Sequence, residues 1–356
     1  MQKPMSRPRS DAVLCAGNVV QVRTEDEILG TLDSSGRLGG LPFMPEMVRH
    51  CGETRRVFKR ADVTCDSIWS PGMRQMEDAV FLWEARCDGS AHGGCQAGCL
   101  FFWREEWLRR LGPGQVPGAS PISRTPLPTA PSAQPGCTRA DLIRATTVVG
   151  AVSDTPTYSC QATELRNATS PLAHAPLWDV RQYAGEVRSG NVSAGHVLLV
   201  VARESASAIA HRVTRSRLGH KVLIPAGTRL SKMRSRAAAG QVPPEPGRAV
   251  DRSRDALNLQ PGDRVRVRSR HEIEATLDTT GRNRGLSFNS EMHRYCGGEY
   301  RVLRRVERII NEPTGRMVTL KDDIILDGVT CQGDYHRFCP RAVYPYWREA
   351  WLQRLD

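Results

Sequence analysis

The stretch "GDRVRVRSRHEIEATLDTTGRNRGLSFNSEMHRYCGGEYRVLRR", Gly262–Arg305, has a counterpart earlier in the chain. "GNVVQVRTEDEILGTLDSSGRLGGLPFMPEMVRHCGETRRVFKR", Gly17–Arg60, matches it at roughly half of its positions. The match resumes at Met73 with Met317, after a one-residue slip, and runs to the end of each segment. Residues 17–111 and 262–356 are therefore two copies of one unit. Because both copies lie in one chain, the comparison shows which positions survived a duplication.

Within the second copy, Val265 and Val267 alternate after a Gly-Asp turn, which predicts a half-buried strand. "IEATLD", with Ile273, Ala275 and Leu277 on one side, predicts a second strand, and "TTGRNRG" a turn. "EYRVLRRVERII" and "MVTLKDDIILDGVTC" supply later strands, joined by the hairpin turn "NEPTGR". The copy closes with "YPYWREAWLQRLD", whose Trp347, Trp351, Leu352 and Leu355 recur at helical spacing and predict an amphipathic helix. Trp103, Trp107, Leu108 and Leu111 repeat that spacing in the first copy. The expected fold is mainly β with short helices (α+β). It comprises two copies of a small SH3-like β-barrel, each with a C-terminal amphipathic helix, separated by a mixed middle region. The SH3-like part of this expectation rests on Gly-Asp-x-Val-x-Val, which resembles the first strand of such barrels.

Residues 1–16 read as a flexible N-terminus, and 17–111 as the first repeat. Residues 112–136, rich in Pro, Ser, Ala and Gly, read as an extended linker, and 243–261 as a second linker ahead of the repeat at 262–356. The middle region, 137–242, offers "RADLIRATTVVGAV" as a helix–strand piece and "HVLLVVARESASAIAHRVTRSRL" as a helix with a basic tail. "KVLIPAGTRLSKMRSR" reads as a strand and a further basic segment.

The 356 residues are 40% hydrophobic and 25% charged, and no run approaches the ~20 apolar residues of a membrane span. The N-terminus lacks an apolar secretory core, which points to the cytoplasm, where cysteines serve more often as metal ligands or buried thiols than as disulfides. A net charge of +12 suggests anionic partners, although an Arg-rich composition alone produces such a surplus.

Four potential metal ligands recur at matched places. The first copy carries Cys51, Cys87, His92 and Cys95; the second carries Cys296, Cys331, His336 and Cys339. Three thiolates and one imidazole make a closed tetrahedral zinc site, so two structural zinc ions are expected. The glycine after Cys51 and Cys296 suits a turn at positive φ that aims N–H groups at the sulfur. Cys65 faces Ile310 and Cys99 faces Val343, while Cys15, Cys137 and Cys160 lie outside the repeat match, so these five read as bystanders. A disulfide framework would leave a third cysteine over in each copy, and a purely apolar role would leave the two histidines unexplained. The deaminase pattern and His-Glu-x-x-His are both absent. Glu105 and Glu349 read as Arg ion-pair partners, and Asp33 and Asp278 as turn formers.

The second copy and the middle also resemble a group of uncharacterised bacterial proteins. The shared features are the Gly-Asp-x-Val-x-Val opening, the Leu-Asp-x-x-Gly-Arg turn, Glu-Met followed by Cys-Gly, Cys339-Pro340-Arg341 and the Tyr346–Leu352 block. "YSCQATEL" and "RQYAGEVRSGNV" extend the likeness. The resemblance implies an accessory protein and brings no mechanism; the first copy departs from it, with Gln96-Ala97 in place of Pro340-Arg341.

The leading expectation is a non-enzymatic zinc-binding scaffold or adaptor with a protein partner, because small domains need staples. Nucleic-acid binding is the alternative. Arg264, Arg266, Arg268 and Arg270 alternate along the first strand of copy two and would share a face. An accessory enzyme with a zinc or thiol site is a third reading, for which the sequence supplies no acid–base pair.

Overall fold

In the computed structural model of the chain, the described residues are 13–66, 72–112, 136–150, 153–173, 179–215 and 257–355. Most of the two expected linkers, the extreme N-terminus and the basic segments after residue 215 lie outside them.

Each copy builds an open, antiparallel five-stranded sheet. In copy one the strands are Val19–Val22, Thr54–Arg60, Ala79–Arg86, Leu100–Arg104 and Leu108–Arg110. The fifth strand lies beside the first, so the order is fifth, first, second, third, fourth. Copy two repeats this order with Arg264–Val267, Glu299–Ile310, Met317–Leu326, Trp347–Arg348 and Leu352–Arg354. The turn Asn311–Arg316 joins its two long strands, as expected. Copy one breaks the same hairpin: Val63–Cys65 and Met73–Gln75 pair separately and receive Ser170–Pro171 from the middle region.

Two expected elements differ. The C-terminal helix is absent from both copies; each runs strand, one 3-10 turn, strand. The turn is Glu105–Trp107 in copy one and Glu349–Trp351 in copy two. The i, i+4 tryptophan spacing is met another way. The first Trp points inward from a strand, the 3-10 turn reverses the chain, and the second re-enters the same core. All four tryptophans are fully buried. The indole N–H of Trp107 donates to Oγ1 of Thr31 at 3.1 Å, and that of Trp351 to Oγ1 of Thr276 at 2.9 Å. Pairing of Leu352 with Val267 claims the backbone that a helix would have used internally.

The second difference is "IEATLD", which does not form a strand. Its first residues end the short helix Arg270–Glu274. Ser269 and Glu272 form a capping box, as Thr24 and Glu27 do for Glu25–Leu29 in copy one. Asp33 and Asp278 do form the turns assigned to them, each side chain accepting backbone N–H bonds from the residues two and four positions on.

The middle region is not a separate layer. Helix Arg139–Ala145 and Leu165 and Ala168 join the core of copy one. Gln161 mimics a sixth strand: its side chain accepts from the N–H of Phe102 at 2.8 Å and donates to the carbonyl of Phe102 at 2.9 Å. This satisfies the exposed edge of the fourth strand without another ladder. Helix Ala194–Arg215 docks on copy two, where Tyr183, Val197 and Phe338 form a small cluster. No helix among the described residues is long and apolar enough to cross a membrane.

Candidate metal centre

The loop between the third and fourth strands carries Cys87, His92 and Cys95. Glycines at positive φ, Gly89 (+74°), Gly93 (+70°) and Gly94 (+71°), let it coil tightly. A Cβ on Gly89 would sit 2.1 Å from the carbonyl oxygen of Cys95, so the loop closes on itself there. The N–H groups of His92 and Gly94 both donate to the carbonyl of Gly89.

This coil presses His92 into the protein, where its side chain is 2% exposed. Its Nε2 stands 3.5 Å from Sγ of Cys87. Its Nδ1 lies 2.9 Å from Oε1 of Glu46, whose side chain is 1% exposed. That contact has ion-pair distance but lacks hydrogen-bond alignment, which leaves Nδ1 of His92 without a hydrogen-bond partner; Oε2, the other oxygen of Glu46, has none either. Burial alone would raise the Glu46 carboxyl, but His92 and the N–H of Ala91 outweigh it and hold the group below its ordinary value. Burial, reinforced by the Glu46 charge, pushes the Cys87 thiol far up. Glu46, Cys87 and His92 are the one set of three ligand-type residues that the described residues bring together closely enough to hold a single ion.

The other expected ligands lie elsewhere. Cys51 follows the 3-10 turn Pro45–His50 at the edge of the core, outside this set, and burial pushes its thiol up to about 11. Gly52 and Gly297 adopt the expected positive φ, +81° and +79°. Their N–H groups, however, donate to the carbonyls of Val22 and Val267 and not to a sulfur. The glycine turns the chain into the second strand; it does not build a metal knuckle. Cys296 likewise edges its own core, its thiol 3.9 Å from the carbonyl of Met292.

Cys95 shares a cavity of about 50 Å³ with Cys87 and His92. Cys99 and Cys160 line it too, with Ile310, Glu312 and Arg341 of copy two opposite. Burial pushes the thiol of Cys99 up to about 12 and that of Cys160 to about 11.

Copy two has the same loop but a different outcome. Glu291, which matches Glu46, is buried and accepts from the N–H of Tyr335 at 2.8 Å. His336 nonetheless faces solvent. Where copy one has Gly93-Gly94, copy two has Arg337-Phe338, both held at positive φ, and Phe338 is buried against Tyr183. Burial pushes the Cys331 thiol up to about 12. Cys339 meets Cys65 of copy one instead of Cys331 and His336: the N–H of Cys65 donates to its Sγ at 3.2 Å. Burial would raise the Cys339 thiol, yet the Cys65 thiol, the Arg341 charge and two backbone N–H groups bring it down to about 7.

No protein-family model, curated protein or solved structure matches this chain. Its residues therefore carry the functional reading by themselves.

The basic row is interrupted and paired. The strand ends at Val267, and Arg270 begins a helix, so the four arginines do not share one strand face. Arg264 and Arg266 both bond Glu299, Arg268 lies 3.7 Å from Glu272, and Arg270 bonds Glu274. Glu105 and Glu349, read from sequence as ion-pair partners, bind Arg60 and Arg305 of the second strands.

Glu46 and Glu291 were missed as candidate ligands, although Glu-Met recurs in both copies. Cys99 and Cys160 have no counterpart in copy two and read from sequence as bystanders, yet both line the cavity beside Cys87 and His92. Comparing copies keeps shared residues, and a site built in one copy alone escapes it.

Proposed function

We propose that this chain is a non-enzymatic, zinc-stapled scaffold whose metal sits in copy one, between Cys87 and His92. The observation that carries the reading is the 3.5 Å separation of Cys87 Sγ and His92 Nε2. Zinc–sulfur and zinc–nitrogen bonds of about 2.3 and 2.0 Å, at a tetrahedral angle, hold two such ligands roughly 3.5 Å apart. Glu46 occupies the place of the carboxylate that fixes the tautomer of a metal-bound histidine. Cys95, Cys99 and Cys160 are the thiols on hand to complete the coordination. A thiol–imidazole set suits zinc better than magnesium or calcium. The deep burial of His92 supports a closed, structural site over an open catalytic one.

One ion per chain follows from this reading, in place of the two expected from sequence, because His336 is exposed and joins no ligand set among the described residues. The strand order, with a 3-10 turn between the fourth and fifth strands, supports an opened SH3-like arrangement for each copy. The zinc then staples the copy whose hairpin is broken.

Elemental analysis of protein purified without chelator tests the proposal. About one zinc per chain is expected, lost in Cys87→Ser and in His92→Ala and retained in Cys331→Ser. Metal-free protein that still folds and fails to take up zinc or cobalt would overturn it.

A further inference from the structure

Cys65 and Cys339 are 274 positions apart in sequence and belong to different copies. Cys65 ends the short strand Val63–Cys65 of copy one, and Cys339 closes the Cys331–Cys339 loop of copy two. The N–H of Cys65 donates to Sγ of Cys339 at 3.2 Å, and Oγ1 of Thr64 lies 3.8 Å from the same sulfur. Nη1 of Arg341 is 3.9 Å from Sγ of Cys65, and Arg341 is itself held by Glu312 at 3.2 Å. Two thiols from distant parts of the chain thus meet beside a fixed guanidinium and a backbone donor. The backbone donors, the guanidinium charge and the Cys65 thiol favour the thiolate, the nucleophilic form, at Cys339, while Cys65 keeps its proton.

We propose that Cys65 and Cys339 are a peroxide-reactive thiol pair whose disulfide covalently joins the two copies. The Cys339 thiolate attacks one oxygen of hydrogen peroxide; the O–O bond breaks, and hydroxide leaves and takes up a proton as water. The Cys65 thiol gives up its proton and attacks the resulting sulfenic sulfur. The S–O bond breaks, a second water leaves, and the S–S bond forms. Two thiols lose two electrons and two protons in all, and one peroxide becomes two waters. Cys339 is 3% exposed and Cys65 is half-buried, so the pair meets solvent on the Cys65 side.

The fold carries its own control. The position of copy two that matches Cys65 is Ile310, and its N–H donates to Sγ of Cys95 at 3.4 Å. The same exchange of loops occurs there, with isoleucine in place of the partner cysteine.

The test is peroxide titration of the full chain, followed by thiol alkylation and peptide mapping without reductant. A single peptide pair joined through Cys65 and Cys339 is expected at stoichiometric peroxide, reversed by reductant. In Cys65→Ser the cross-link vanishes and Cys339 is trapped as the sulfenic acid by dimedone; Cys65→Ala serves should the serine variant not fold. Zinc content stays the same in either variant, which separates this inference from the metal proposal. Recovery of Cys65 and Cys339 as singly alkylated thiols, or cross-linking through other cysteines, would overturn it.

Discussion

The backbone N–H of Ile310 donates to the thiol of Cys95 at 3.4 Å, across 215 positions of sequence. At the matched place Cys65 donates to Cys339. Each copy lends its Cys loop to the other copy's hairpin, so the duplicated units are exchanged partners with a shared seam. Gln96 reinforces one side of that seam: its side chain accepts from the N–H groups of Glu307 and Arg308. Pro340, its counterpart, has no amide with which to repeat this. Cys95 and Cys339, conspicuous in sequence as a matched pair of ligands, are thus matched first as contacts between the copies.

Arg86 tests how strongly the seam holds. Its guanidinium donates to the carbonyl of Gly98 in its own copy at 2.8 Å and to that of Ala342 in the other at 3.1 Å. It also lies 4.1 Å from the ring centroid of Tyr344. Arg86→Ala leaves two buried carbonyls without their donor and removes the ring contact. A loss of about 2–4 kcal/mol in urea unfolding is expected. Arg86→Lys recovers only part of it, since an ammonium cannot reproduce the planar fork. Two separate transitions in the variant would show that the seam couples the copies.

Glu46→Gln separates orientation from ligation. If the carboxylate orients His92 on the metal, the amide weakens zinc binding by roughly 10- to 100-fold and leaves one ion bound at saturation. Competition with a chromogenic chelator measures this. Complete loss of binding would instead make Glu46 a direct ligand.

Gly40 and Gly285 occupy the same position in the two copies, and both have positive φ, +77° and +86°. A Cβ on Gly40 would lie 2.2 Å from the carbonyl oxygen of Asn167 in the middle region, whereas Gly285 faces open space. Both alanine variants incur the left-handed backbone cost of about 1–2 kcal/mol. Gly40→Ala should lose roughly a further 1–3 kcal/mol, because backbone must move to admit the methyl. Denaturant midpoints for the two variants give the comparison directly, and equal losses would refute close packing of the middle region on copy one.

The repeat, the Asp33 and Asp278 turns and the long hairpin of copy two were legible because each is a local pattern with a local cause. The closing helix was misread because Trp347 and Trp351 satisfy two geometries. Helical spacing and a strand–turn–strand path both bury them, and only pairing with Val265–Val267 selects the second. The short helix at Arg270 had a signal, Ser269-x-x-Glu272, which outweighs the alternation of Ile273, Ala275 and Leu277. The candidate site was half legible. Cys87 and His92 are neighbours in one coiled loop, so spacing finds them. Cys99 closes the same loop but has no counterpart in copy two, and Glu46 and Cys160 reach the site from two other segments that only the tertiary fold brings together.

Glu186 makes stability depend on pH. Burial raises its carboxyl, with Asp62 adding to the effect; the hydrogen bond from Asn191 and the charges of Lys59 and Arg60 oppose it, and the group settles at about 7. In the unfolded chain it titrates near 4.5. Between these values the folded state binds the extra proton, so stability falls as pH rises. The contribution is complete below about pH 4.5 and is lost by the time pH passes 7. A difference of about 2.5 pH units corresponds to roughly 3 kcal/mol between the two ends. Glu186→Gln keeps an oxygen for the 2.6 Å bond from Asn191 and removes the titration. Unfolding of both proteins at pH 5 and pH 8 is the measurement: the native chain should lose more stability than the variant over that interval. A native chain no more pH-sensitive than Glu186→Gln would mean that Glu186 stays ionised when buried, held by Lys59.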